Sequence, residues 1–141
     1  MINFYEEILK RKEECFKLLE EWIKIPSVYN ESTVDKDLPF GREVGKSLDW
    51  FEKLSIKDGF YVKNLEGYAV FAGYGVGEEY VCAFGHGDVV SAKEGWNTYP
   101  FMLNIIDGKA YGRGVVDDKG PILGCYMGLK IIKDLNLPVK N

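Results

Sequence analysis

Apolar residues near the start of the chain recur three or four positions apart. Phe4, Ile8, Cys15, Leu18, Leu19, Trp22 and Ile23 fall near helical spacing while Glu and Lys fill the opposite face, which predicts one amphipathic helix over residues 3–24. Pro26 ends it, because proline has no N–H to donate and disfavours helix at the residue before it. Residues 27–40 are rich in Ser, Asn, Asp and Pro and lack a period, so they read as a surface loop. A second helix is expected over about 41–57, where Val44, Leu48, Phe51 and Leu54 share a face, with Gly59 as its stop.

Beyond Gly59 the pattern changes to short β-branched and aromatic runs broken by glycine. Phe60–Val62, Tyr68–Ala72 and Tyr80–Phe84 read as strands, the last two joined by a turn over Gly73–Gly77. Tyr80–Phe84 is apolar on both faces, as a central sheet strand would be. Phe101–Ile106 and Ala110–Tyr111 flank Asp107-Gly108-Lys109 and predict a hairpin. Helix is expected again over about 119–135, with Pro121 tolerated in its first turn and Ile122, Cys125, Leu129 and Ile132 on the buried stripe. Residues 137–141 read as a linker into another element.

Composition narrows the function. The 141 residues are 46% apolar and 14% aromatic, enough for one domain with a real core. Eighteen Lys and Arg against 22 Asp and Glu give a net charge of −4, so no basic field favours nucleic acid or anionic membrane as a partner. No run approaches the ~18 apolar residues of a membrane helix. The N-terminal segment carries charges where a signal peptide would be apolar, so a cytoplasmic location is expected. Cys15, Cys82 and Cys125 are too few and too far apart for a disulfide framework or a CxxC zinc site, and are expected to be small buried hydrophobes.

One histidine is present, His86, in the segment Gly85-His86-Gly87-Asp88-Val89-Val90 directly after the expected central strand. Ligands gather at the carboxyl ends of strands in open α/β sheets, which gives this histidine a suitable position, although a turn histidine would look the same. A second cluster, Gly112-Arg113-Gly114-Val115-Val116-Asp117-Asp118-Lys119-Gly120, sets adjacent carboxylates before a helix N-terminus among glycines that permit tight bends. A plain helix N-cap at Asp117-Asp118 needs no such company. Imidazole and carboxylate suit Zn²⁺ or a similar ion, so His86, Asp88 and Asp117 form a partial metal-site candidate. Lys119 is expected to be a solvated first-turn residue and Arg113 to pair with nearby carboxylates. Gly73-Tyr74-Gly75-Val76-Gly77 has the wrong spacing for a dinucleotide fingerprint. Asn30-Glu31-Ser32 fits a glycosylation sequon but reads as loop.

The stretch Gly85–Pro121 resembles the signature of metallopeptidase family 20, the co-catalytic zinc hydrolases. The matching parts are His86-Gly87-Asp88-Val89-Val90, Gly95-Trp96, Pro100-Phe101, Asp107-Gly108, Tyr111-Gly112-Arg113-Gly114 and Asp117-Asp118-Lys119-Gly120-Pro121. Ile25-Pro26-Ser27-Val28 is similar to the family's loop after its first helix, and the wording around Gly95–Thr98 is most similar to the dipeptidase V branch. The resemblance implies that His86 ligates one metal, that Asp117 bridges two, that Asp88 acts in catalysis by orienting or polarising His86, and that the Asp117–Asp118 peptide is cis. His86 and Asp117 would converge at the C-terminal edge of the sheet. Ser91 stands where the family commonly has proline, a departure that bears on loop stiffness.

The resemblance also implies an α/β fold: the N-terminal portion of a zinc-peptidase catalytic domain over residues 1–141, with a mixed sheet flanked by helices and left incomplete. The family's Glu-Glu pair, further acidic ligand, second histidine, remaining strands and lid domain have no counterpart in these residues. The expected activity is cleavage of dipeptides or short amino-acyl amides by metal-activated water within a longer enzyme, using two divalent ions, Zn or else Mn or Co. The chain alone is expected to bind metal weakly or not at all and to be inactive. N-acyl amino-acid deacylation and a truncated, non-catalytic binding or oligomerising module are the alternatives. The expected partners are a small peptide substrate and, through an exposed sheet edge, a second copy of the chain.

Overall fold

The computed structural model describes residues 2–139. Its elements in chain order are α1 (Phe4–Lys10), α2 (Lys12–Ile23), a 3₁₀ turn (Glu31–Thr33), α3 (Arg42–Lys57), β1 (Tyr61–Asn64), β2 (Val70–Gly73), β3 (Asn104–Ile106), β4 (Lys109–Tyr111) and α4 (Lys119–Asp134). Among the described residues no helix is long and apolar enough to cross a membrane.

The single helix expected over 3–24 is two. Arg11 leaves helical geometry at φ −103° and ψ 7°, and its N–H donates to the Ile8 carbonyl at 3.1 Å in a tighter turn. Its guanidinium folds back to donate to the Glu7 carboxylate at 2.7 Å and the Glu7 carbonyl at 3.1 Å. Phe4 and Ile8 therefore stay exposed, and the buried stripe is confined to Leu18, Leu19, Trp22 and Ile23 of α2. That stripe meets α4 and α3 in one core, where Trp22 stacks on Trp50 and Phe51 at ring separations of 5.0 and 5.7 Å. Tyr126 sets its edge against Phe51 and Phe60 at 5.5 and 5.3 Å. Full burial of such side chains is worth roughly 1.5–3 kcal/mol each.

Helix α3 stops as Gly59 predicts. Gly59 takes φ +74°, its N–H donates to the Ile56 carbonyl at 3.0 Å, and the Phe60 N–H reaches back to the Ser55 carbonyl at 3.1 Å. Strands β1 and β2 pair antiparallel from Tyr61 opposite Gly73 to Asn64 opposite Val70. Strands β3 and β4 form the expected hairpin, with Asp107 and Gly108 both at positive φ, as a two-residue turn of that twist requires.

The fold is α/β in composition, with small sheets and helices, but its strands form two separate antiparallel pairs. The strand expected at Tyr80–Phe84 is the main correction. A strand is defined by its ladder partners, and no described strand pairs with this segment. Tyr80, Val81 and Phe84 are instead 81%, 103% and 92% exposed.

Helix α4 covers the expected span with its face turned by one residue. Leu123, Tyr126, Met127 and Ile131 are buried, while Ile122 and Leu129 only flank the core and Cys125 is exposed. Cys82 is exposed too, while Cys15 is half-buried and packs against the core, so of the three cysteines only Cys15 takes part in it. Of the linker expected at 137–141, Lys140 and Asn141 lie outside the described residues.

Candidate metal centre

Although Tyr80–Phe84 lacks a sheet, the loop after it is firmly held. A Cβ on Gly85 would collide with the Asp118 carboxylate and the Ile122 side chain, so only glycine lets the chain pass this close to the start of α4. The His86 N–H then donates to Asp118 Oδ2 at 3.3 Å. The Gly87 carbonyl accepts from two serine hydroxyls, Ser27 Oγ and Ser47 Oγ, each at 2.7 Å. Trp22 Nε1 donates to Ser47 Oγ at 2.7 Å, and the Val89 N–H donates to the Ser27 carbonyl at 2.9 Å. Both serines are fully buried.

The second cluster is bent by glycine and pinned by lysine. Gly114 takes φ +96°, and its carbonyl accepts from the Gly120 N–H at 3.1 Å. The Asp117–Asp118 peptide is cis, as expected. Asp118 occupies the N-cap position of α4, but its side chain caps nothing and instead receives the His86 N–H. Lys119 is not solvated: it is wholly buried, with Nζ donating to the Trp22 carbonyl at 2.9 Å and the Ile25 carbonyl at 2.8 Å. Burial pushes its pKa down to about 8, with the Asp88 charge acting the other way. Arg113 lies 5.1 Å from the Trp96 ring centroid and donates to the Ser91 carbonyl at 3.4 Å, in place of the carboxylate pairing expected.

These two supports bring all three candidate residues together. His86 Nε2 lies 3.0 Å from Asp117 Oδ1, while Nδ1 faces the Asp88 carbonyl at 3.1 Å and Asp88 Oδ1 at 3.3 Å. The imidazole is half exposed and Asp117 is open to solvent. Partial burial disfavours the imidazolium, but the Asp88 carbonyl and the carboxylates of Asp117 and Asp88 outweigh it, raising the His86 pKa above its ordinary value. The convergence is not at a sheet edge, since the segment leading directly into His86 is not a strand.

The donor set fits a divalent cation in part. Two ligand atoms about 2.0–2.1 Å from one ion stand ~3.0 Å apart at an angle of roughly 90–100°, the separation of His86 Nε2 and Asp117 Oδ1. With Nε2 facing Asp117, Nδ1 is left to hydrogen-bond Asp88, the outer contact that fixes a ligating imidazole. Among the described residues no cluster of three or more His, Cys, Asp or Glu side chains is suited to hold a metal, so these residues supply an incomplete set.

Sequence reasoning missed Ser27, Ser47 and Lys119. Ser47 had a signal, a polar residue on the apolar face of α3 beside Val44 and Leu54, and such a residue is buried only with a hydrogen-bond partner. Lys119 had none beyond its neighbours.

Comparison with known proteins bears on the same residues. Residues 82–141 match the family described as Peptidase family M20/M25/M40. The chain is 38% identical over 138 residues to the protein YtjP of Bacillus subtilis (strain 168), covering 98% of this chain and 30% of YtjP. It is 35% identical over 140 residues to the Beta-Ala-Xaa dipeptidase of Lactobacillus delbrueckii subsp. lactis, covering 99% and 30% of the two chains. The crystal structure of human carnosine dipeptidase 1 superposes with a TM-score of 0.76 at 27% identity, over 96% of this chain and 31% of that one. The chain thus spans about a third of the length of the relatives it matches. Over residues 82–141 it is thus similar to peptidase family M20/M25/M40.

Proposed function

We propose that this chain is the N-terminal portion of the catalytic domain of a metal-dependent dipeptidase, in which His86 and Asp117 are metal ligands and Asp88 orients the His86 ring. The observation that carries this reading is the 3.0 Å approach of His86 Nε2 to Asp117 Oδ1 with Asp88 on the opposite ring nitrogen. The relative named as a Beta-Ala-Xaa dipeptidase and the similarity to carnosine dipeptidase 1 support short peptides as substrates. When bound, a divalent cation, zinc by its preference for imidazole and carboxylate with manganese or cobalt as alternatives, supplies Lewis-acid polarisation of the scissile carbonyl. The chain's own residues hold the geometry: Asp88 keeps Nδ1 occupied, so that Nε2 faces outward, and Asp117 presents its carboxylate to solvent.

Catalytic zinc takes about three protein ligands and an open position, and these residues offer two. The 141-residue chain alone therefore binds metal weakly and does not turn over, and its exposed Tyr80–Phe84 segment favours self-association.

The deciding assay follows release of free amino acids from dipeptides, with Zn²⁺, Mn²⁺ or Co²⁺ added. It compares the 141-residue chain with the same reading frame extended to the relatives' length. Turnover by the extended form alone is the expected result. Robust metal-dependent turnover by the 141-residue chain would overturn the partial-site reading, and an inactive extended form would favour a non-catalytic module.

A further inference from the structure

The two halves of the site, 31 residues apart in sequence, hang from one short segment. We propose that residues 22–27, the end of α2 and the turn after it, are the frame that sets the distance between His86 and Asp117, with Ser27, Ser47 and Lys119 as positioning residues. This rests on the metal-site reading above and names the side chains that would hold that site in register.

The His86 half is fixed through Gly87. A carbonyl oxygen has two lone pairs, and both on Gly87 are taken by buried hydroxyls, Ser27 Oγ and Ser47 Oγ. That carbonyl lies in the peptide between Gly87 and Asp88, so holding it fixes the backbone beside the imidazole and the Asp88 groups facing Nδ1. The Val89 N–H to Ser27 carbonyl bond ties the far side of the same loop to the same serine. Trp22 Nε1 donates to Ser47 Oγ, which leaves that hydroxyl's own proton for Gly87.

The Asp117 half is fixed through Lys119. Its Nζ donates to the carbonyls of Trp22 and Ile25, which also accept the Ile25 and Ser27 N–H groups in the turn that follows α2, so the lysine binds that turn at two points. Trp22 thus serves both halves, its indole N–H through Ser47 and its carbonyl through Lys119. A buried lysine without a carboxylate in contact is uncommon. Here its charge meets two carbonyl dipoles at a helix C-terminus, where positive charge is favoured.

His86 is the only histidine, so its ring signals in ¹H–¹⁵N NMR need no further assignment. The test records them for the 141-residue chain, metal-free and through a Zn²⁺ titration, in the native sequence, the Ser27→Ala/Ser47→Ala double variant and Lys119→Met. Circular dichroism confirms that each is folded. The expected result is a changed ring ¹⁵N pattern in the metal-free double variant, and Zn²⁺ affinity at least about tenfold weaker in both variants, the usual scale for losing outer support of a ligand. Ser47→Ala alone, which leaves Ser27 on the carbonyl, gives a smaller change of the same kind and keeps the test open if the double variant does not fold. Folded variants whose metal-free spectra and Zn²⁺ affinity match the native chain would overturn the proposal, leaving these residues a purely structural role. A native chain with no Zn²⁺-dependent shift, alongside a perturbed metal-free ring in the variants, would overturn metal binding by the 141-residue chain and leave the positioning role standing.

Discussion

At the scale of single residues, His86 and Lys119 have opposite characters. The imidazole is half exposed and bonds only to the Asp88 and Asp117 groups, so His86→Ala should shift the urea midpoint by no more than about 0.5 kcal/mol equivalent. The same change should abolish any Zn²⁺-dependent signal, and dipeptide cleavage in an extended form. A large loss of stability in His86→Ala would show that the ring is a structural prop. Lys119 is wholly buried, and Lys119→Ala leaves the Trp22 and Ile25 carbonyls without their charged donor. Hydrogen bonds to a charged group contribute about 1.5–3 kcal/mol, so urea denaturation should show a loss of about 2–3 kcal/mol, with a minimal change contradicting the buried contact. The sequence displayed His86, Asp88 and Asp117 because its one histidine and an adjacent pair of aspartates stood among glycines. It hid Lys119 because a lysine beside two aspartates looks like a solvated charge until the two carbonyls it reaches, 94 and 97 residues earlier, are known.

At the scale of elements, α4 shows what periodicity can and cannot fix. Its span was legible, but Ile122, Leu123, Cys125, Tyr126, Leu129 and Ile131 are apolar on two adjoining faces, and spacing alone does not select the one that meets α2. Burial selects Leu123, so Leu123→Ala should cost about 2–5 kcal/mol while Cys125→Ser stays within about 0.5 kcal/mol, both read from denaturant midpoints. Equal effects would mean the helix is rotated from its present seat. The helix also carries a pH-dependent lock: Tyr126 donates to Asp58 Oδ2 at 2.7 Å, and Lys130 Nζ contacts Asp58 Oδ1 at 2.9 Å. Burial first, then the Asp58 carboxylate, pushes the Tyr126 phenol above its ordinary pKa. For Lys130 burial acts downward, but the bond and charge of Asp58 prevail and raise it. In both cases the folded chain holds its proton to higher pH than the unfolded chain does. The unfolded state therefore binds fewer protons above about pH 10, and stability falls as pH rises beyond that point. Tyr126→Phe should flatten this alkaline loss, as followed by urea midpoints from neutral to alkaline pH. An unchanged slope would remove Tyr126 as its source.

At the scale of the whole molecule, the apolar run Tyr80–Phe84 reads as the interior strand of a sheet, but no described strand pairs with it. Neither hairpin pairs with it, and among the described residues its backbone N–H groups donate to no other backbone carbonyl. An exposed apolar segment whose backbone N–H groups lack ladder partners is a template for strand addition. The chain spans about a third of the length of its relatives, so two covers are physically available: a second copy of this chain, or further polypeptide in a longer form. The double substitution Val81→Lys/Phe84→Lys separates them. Both side chains are at least nine-tenths exposed in the 141-residue chain, so the lysines should leave its thermal stability nearly unchanged. Charge on an open strand edge blocks pairing, so sedimentation velocity should show the native chain associating with rising concentration and the double variant staying monomeric. In a form extended to the relatives' length the same lysines would enter a covered sheet without partners and strongly destabilise it. Association that persists in the double variant would place the contact elsewhere on the surface, and an extended form indifferent to both lysines would show that Tyr80–Phe84 stays bare there too.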